Sequence, residues 1–273
     1  MSEVINTNTT DGVKEVSGWS RLLNHELGHQ DDGLYCYKGR VDSSNSPSWL
    51  NQWNDLRTQF VSARGWKPEI PEGQDIYDLD EETVHSVVIK DDKVIVGQRL
   101  SPIVSPTRSL TFDMLRQNPV MQREIDKNLS KNSKIFYDLT RLVVAEMPKS
   151  DRSAKYEISA EISQMLGASY GRALQQHNQS EIDDVTWIYA VEEHFLKSLS
   201  AMGIQYSEVA RGKADIDDAF DTVVCETSPH LAFKHLRQAV TRDIEDGNPG
   251  FSAMTLENVY KGIDLTGYDP RAI

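Results

Sequence analysis

Charged side chains stand inside or directly beside apolar segments of this sequence, where a charge is costly without a partner or a purpose. Arg99 follows one β-branched run, and Asp138 and Arg141 lie inside another. Asp75 and Asp78 occur upstream in an acidic stretch. A carboxylate in an apolar strand can serve as a general base, and an arginine can bind an anionic group. These five residues are therefore the first candidates for a catalytic site.

A structural role for the same residues is the alternative. Asp75, Asp78 and Arg99 could form an ion network that ties the N-terminal segment to a sheet. Asp138 and Arg141 are three residues apart, so a regular strand would point them to opposite faces. Both can serve one site only where the strand is bulged or splayed, a feature that is common beside active sites.

A second set of candidate residues is the pentapeptide HELGH, which matches the pattern H-E-x-x-H at His25, Glu26 and His29. On a helix this spacing places two imidazoles on one face to bind zinc, with the glutamate as general base. Gly28 would weaken such a helix, and no third ligand is evident nearby. A zinc-dependent hydrolase is therefore an alternative function, and the main prediction is that the site holds no metal.

Composition limits the class of protein. The chain has 273 residues, 38% of them hydrophobic, and a net charge of −13. The acidic balance argues against nucleic-acid binding. Two cysteines and the lack of a long apolar run predict a cytoplasmic protein without a membrane span. Residues 116–155 differ, because nine basic and five acidic residues give them a net charge of +4. This basic segment is either a solvated face or a docking surface for an acidic partner.

The hydrophobic pattern predicts strands interleaved with helices. Two β-branched runs flank the turn residues Asp91 and Asp92, which indicates a hairpin. Later strands and helices alternate, which predicts an α/β fold, a three-layer α/β/α sandwich around a mixed sheet. Three regions follow from these elements: a partly flexible extension at 1–45, a central domain at 46–226, and a helical extension at 227–273.

These segments, in this order, resemble the acyl-homoserine-lactone synthases, the autoinducer synthases whose fold is GNAT-like. That family has a phenylalanine before a tryptophan, then E-x-D-x-x-D, then G-x-x-R-L at a strand end, then E-x-x-R in a later strand. The matching positions are Phe60 and Trp66, Asp75 and Asp78, Gly97 with Arg99 and Leu100, and Asp138 with Arg141. The resemblance covers roughly residues 48–226 and makes the central domain a GNAT-like acyltransferase domain.

The chain departs from the family pattern at three positions. Gly73 stands where the family has its first glutamate, and Asp138 replaces a glutamate, which shortens the carboxylate's reach. Arg57 precedes Phe60 by three residues where the family has four. A non-catalytic GNAT-like binding module is therefore a further alternative. Residues 164–169 nearly match Q-x-x-G-x-[GA], the pattern of the GNAT cofactor loop. We predict instead that this segment is part of a packed helix.

The resemblance implies an enzyme that acylates the amine of S-adenosylmethionine or a related amino compound and then closes a lactone, producing a quorum-sensing signal. The donor would be an acyl carrier protein or acyl-CoA thioester, and no cofactor is expected beyond these substrates. The implied catalytic residues are Asp138, as base, with Arg141 and Arg99. The implied substrate-binding residues are Arg57, Phe60, Trp66, Asp75 and Asp78.

Overall fold

A computed structural model describes residues 33–38, 48–63, 83–103, 111, 118–129, 135–145, 152–177, 181–201, 204–213, 221–247 and 250–269. The strands in these ranges are β1 (Gly33–Lys38), β2 (Val84–Lys90), β3 (Lys93–Pro102), β4 (Ile135–Val144), β5 (Val185–Glu192), β6 (Ser207–Gly212) and β7 (Thr222–Thr227). The α-helices are α1 (Ser48–Ala63), α2 (Pro119–Leu129), α3 (Arg152–Gln176), α4 (Glu193–Ala201), α5 (Pro229–Glu245) and α6 (Phe251–Leu265).

The seven described strands form one mixed sheet in the order β1-β2-β3-β4-β5-β7-β6. All neighbouring strands are antiparallel except β4 and β5, which run parallel. The long helix α3 connects these two strands, as a parallel pair requires a crossover. The predicted α/β architecture with a mixed central sheet is therefore confirmed.

The β2–β3 hairpin forms where the two β-branched runs predict it. Asp91 and Asp92 make the turn, with φ angles of 50° and 60°. This left-handed region is unfavourable for most residues, but aspartate tolerates it because its short side chain can bond to nearby backbone groups. The strand β3 continues past Gly97 to Pro102 and so includes Arg99.

Helices cover both faces of the sheet. The α1 side chains of Trp49 and Trp53 are fully buried against Tyr35 and Val87. Gly97 of β3 lies directly beneath Trp53, and a Cβ at that position would overlap the indole ring. The opposite face packs against α3, and the predicted interpretation of residues 164–169 as part of a packed helix is confirmed.

The N-terminal boundary of the folded domain lies earlier than residue 46. Residues 33–38, GLYCYK, form β1 and pair with β2 along their whole length. This strand is hard to recognise from the sequence, because the segment holds no β-branched residue and is only six residues long. Within the predicted extension at 1–45, Gly33–Lys38 is thus part of the sheet.

Pro119 is the first residue of α2. This position suits proline, which lacks only a backbone N–H that the first helical turn leaves unbonded in any case.

The C-terminal helices pack into the same core as the sheet. Phe233 of α5 and Ile263 of α6 share a buried cluster with Trp187 of β5 and Tyr170 of α3. The helices α3 and α6 touch backbone to backbone. The predicted extension at 227–273 is therefore joined to the central domain by a continuous hydrophobic core through residue 268.

Candidate active site

The strands β4 and β5 diverge after only four paired positions. Their parallel ladder begins where Ile135 pairs with Val185 and ends where Asp138 pairs with Ile188. Beyond that point β4 stays paired with β3 as far as Val144, while β5 stays paired with β7. A V-shaped gap, here called the β4–β5 fork, therefore opens in the middle of the sheet.

Asp138 occupies the last paired position before the fork and is only 2% exposed. Thr111 donates two hydrogen bonds to its carboxylate, from the hydroxyl to Oδ1 at 2.5 Å and from the backbone N–H to Oδ2 at 3.2 Å. Two donors converging on a carboxylate hold its orientation and stabilise its charged form. A fixed, buried carboxylate thus lies at the point where the sheet opens.

Arg99 lies on the same face of the sheet as Asp138. Its Nε donates a hydrogen bond of 3.2 Å to the hydroxyl of Thr140, and Thr140 is two residues from Asp138 in β4. Side chains two apart in a regular strand share a face. Arg99 is 1% exposed, so the prediction that it becomes buried is confirmed, at a position close to the fork.

The register between β3 and β4 shifts where Arg141 occurs. Gly97 pairs with Val143 and Arg99 pairs with Thr140, so β4 carries one more residue than β3 in that interval. A bulge of this kind is what allows Asp138 and Arg141, three residues apart in one strand, to serve the same site. The side chain of Arg141 lies outside the described part of the chain, so its role stays a prediction.

Two of the predicted substrate-binding residues, Arg57 and Phe60, reach the fork from α1. Both line the same cavity as Thr111 and Thr140. The Arg57 guanidinium lies 4.7 Å from the centroid of the Trp53 ring and donates to Asn54 Oδ1 at 3.2 Å. It is 3% exposed, so a cation is held in an apolar setting where an anionic group would bind it strongly.

A cavity of about 400 Å³ passes through the fork from one face of the sheet to the other. Its α1 side is formed by Arg57, Phe60 and Thr111, and it continues between β4 and β5. On the far side its walls are mostly apolar. They include Leu139, Leu142, Ile162, Leu166, Tyr170, Trp187, Tyr189, Phe195, Leu199, Phe233, Leu236 and Val259.

The tyrosines of the apolar side are held neutral. Burial raises the pKa of the Tyr189 phenol, whose hydroxyl lies 2.8 Å from Thr227 Oγ1. Burial likewise raises the pKa of Tyr170, whose hydroxyl lies 2.7 Å from His230 Nδ1. A phenol with a raised pKa cannot act as a base near neutral pH. The carboxylate of Asp138 is therefore better suited to accept a proton than either phenol.

Several predicted residues lie outside the described ranges. These are Trp66, Asp75 and Asp78 of the proposed substrate site and His25, Glu26 and His29 of the zinc alternative. Their roles stay predictions. Among the residues that the structure describes, no cluster of histidine, cysteine and carboxylate side chains could hold a metal ion. Within the same ranges, no helix has the length and apolar character needed to cross a bilayer.

Sequence reasoning missed two groups that complete the site. Nothing in the sequence links Thr111 to Asp138, which is 27 residues away. Thr140 could have been identified, because period-two alternation places it on the same strand face as Asp138. The apolar faces of α3, α5 and α6 meet at the cavity through long-range packing, which no local pattern encodes.

No protein-family model matches the sequence, and a search of curated proteins finds no significant match. Solved structures do match. The chain is similar to the CoA-dependent acyl-homoserine lactone synthase BjaI with SAM and isopentyl-CoA, at 16% identity and a TM-score of 0.51, covering 81% of this chain and 92% of that chain. The acyl-homoserine lactone synthase LasI has 15% identity and a TM-score of 0.48, covering 74% and 95%. Identities this low show shared architecture alone, so this chain has the GNAT-like acyltransferase fold that acyl-homoserine lactone synthases possess.

Proposed function

We propose that this protein is an N-acyltransferase of the autoinducer-synthase type. It transfers an acyl group from an acyl carrier protein or acyl-CoA thioester to the amine of S-adenosylmethionine or a related amino compound. Lactone formation then yields an acyl-homoserine lactone, a quorum-sensing signal. The observation that supports this proposal is the cavity at the β4–β5 fork. Arg57 and Thr111, the hydrogen-bond partner of Asp138, line one part of it, here called the charged compartment. Mostly apolar side chains line the part behind the sheet, here called the apolar compartment.

The apolar compartment suits the acyl chain. Aliphatic and aromatic side chains form most of its wall, and burial of methylene groups against such walls is favourable. The fork gives the thioester a place in the middle of the sheet, with its chain on the far side. A thioester carbonyl held there would be close to Asp138, which occupies the last paired position of β4 and β5.

The charged compartment suits an amino-acid substrate. The guanidinium of Arg57 lines it and can bind a carboxylate, while the ring of Phe60 offers a π face to a sulfonium group. Arg99 and Thr140 form a hydrogen-bonded pair beside it. The predicted aspartates Asp75 and Asp78 would add negative charge for the cationic sulfonium.

The chemistry needs one proton acceptor. Asp138 takes a proton from the substrate ammonium, directly or through one water, and the freed amine attacks the thioester carbonyl carbon. A C–N bond forms, the C–S bond of the thioester breaks, and the leaving thiolate takes up the proton that the acylated nitrogen loses as it becomes an amide. The substrate carboxylate then attacks its own γ-carbon, which breaks the bond to the sulfonium and releases methylthioadenosine with the lactone.

The short side chain of Asp138 is compatible with this role. The carboxylate is anchored by Thr111, so the water-bridged route compensates for the methylene that a glutamate would supply. The similar protein BjaI is a CoA-dependent synthase that binds SAM and isopentyl-CoA, which supports both substrate classes. The basic segment 116–155 supports an acidic carrier protein as an alternative donor.

The test is a turnover assay with purified protein, S-adenosylmethionine and either acyl-CoAs or acyl carrier proteins of graded chain length. Mass spectrometry should detect an N-acyl-homoserine lactone and methylthioadenosine in equal amounts. Acylated amine without methylthioadenosine would mean acyl transfer to another amine, with no lactone step. Binding of S-adenosylmethionine without any product would instead favour the non-catalytic binding module.

A further inference from the structure

The C-terminal helix α6 lies outside the segment that carries the family resemblance, yet it forms part of the cavity. Its residues Thr255 and Val259 line the apolar compartment. They are four residues apart and so lie on one face of the helix. Thr255 is 1% and Val259 9% exposed, which places both side chains in the interior of the protein.

The position of α6 against α3 is fixed by two glycines. A Cβ at Gly167 of α3 would overlap the carbonyl oxygen of Val259, and a Cβ at Gly262 of α6 would overlap the carbonyl oxygen of Gln164. The two backbones are therefore in direct contact around the residue that lines the cavity. Close-packed interiors of this kind resist compression, so α6 presents a rigid surface to the cavity.

We propose that α6 is the end wall of the apolar compartment and sets the longest acyl group that the protein accepts. This inference rests on the proposed function and adds to it the residues that select the donor. An acyl chain enters through the β4–β5 fork and runs towards Val259 and Thr255. A chain that is too long meets a helix that cannot retreat, because its backbone is already fixed against α3.

Three variants test the end wall. Val259→Ala shortens the wall by two methyl groups, and Ala232→Leu, on α5, fills the same compartment from another side. Leu256→Ala is the matched control, because Leu256 lies on α6 and packs in the same core but does not line the cavity. One methylene in a closed hydrophobic pocket changes selectivity by about tenfold or more.

The measurement is kcat/KM for straight-chain acyl donors that increase by two carbons. Val259→Ala should raise the ratio of the next longer donor to the wild type's preferred donor by about tenfold or more, and Ala232→Leu should lower it. Leu256→Ala should leave the ratio unchanged even if its melting temperature falls. Unchanged ratios in both Val259→Ala and Ala232→Leu, in folded protein, would overturn the proposal.

Competition binding of the same acyl-CoA series separates this inference from the proposed function. If no product forms with any amine but binding still depends on chain length and shifts in Val259→Ala, the end wall stands and the proposed function fails. If product forms while neither turnover nor binding shifts in the variants, the proposed function stands and the end wall fails. If Val259→Ala folds poorly, Ala232→Leu still tests the proposal independently.

Discussion

The substitution Asp138→Asn tests the proposed base most directly. The carboxylate is 2% exposed and receives both of its described hydrogen bonds from Thr111. Asparagine keeps the shape and one acceptor oxygen but turns its amide group towards one of these two donors. Losing one hydrogen bond to a charged group costs about 1.5–3 kcal/mol of unfolding free energy. The variant should therefore fold, with a melting temperature lower by several degrees.

Turnover should fall far more than stability. General-base catalysis contributes about 10²–10⁴-fold, which corresponds to roughly 3–5 kcal/mol of transition-state stabilisation. Asp138→Asn should lose at least about two orders of magnitude in kcat while S-adenosylmethionine still binds. The loss should shrink as pH rises, because a larger fraction of the substrate amine is then already deprotonated.

Thr111→Val is the matched control for this experiment. It removes the hydroxyl that donates to Oδ1 but leaves the carboxylate and the backbone N–H that donates to Oδ2. We expect a loss of turnover of about tenfold. The pH dependence of turnover should shift but persist, because the base remains. Near-normal turnover in folded Asp138→Asn at neutral pH would refute the assignment and move the base elsewhere, with Asp75 the next candidate.

Three further predictions concern charge and burial. Arg99→Ala should lower stability and turnover together, because it removes a buried side chain and its hydrogen bond to Thr140, and a hydrogen bond that involves a charged group contributes about 1.5–3 kcal/mol. A melting temperature and activity equal to those of the wild type would contradict this. Reversing the exposed charges of Arg123 and Lys127 to glutamate should weaken carrier-protein binding but not acyl-CoA binding, with the difference vanishing at high salt. Burial raises the pKa of Cys225 to about 12, so the unfolding free energy should fall as pH rises from about 9 towards 12. Cys225→Ser should lessen that fall without abolishing it, because burial also raises the pKa values of Cys36, Tyr170 and Tyr189.

The sequence alone determined the local elements and the main candidates. The hairpin, the strand that carries Asp138, the helix of α1 and the long helix α3 all follow from apolar periodicity and turn residues. These are local signals, because each element must present an apolar face wherever it packs. The burial of Arg99 also followed from its position at the end of a β-branched run. The strand β1 was not predicted, because it is short and none of its residues is β-branched.

Only the tertiary structure decided how these pieces make a site. The separation of β4 from β5 after Asp138 depends on each strand's pairing with its other neighbour, which no local pattern encodes. The hydrogen bonds of Thr111 to Asp138 and the contribution of Val259 to the cavity wall join residues far apart in sequence. Sequence spacing specifies which face of an element is apolar, whereas packing specifies which element that face meets. The candidate catalytic groups could therefore be identified from the sequence, whereas the cavity beside them could not.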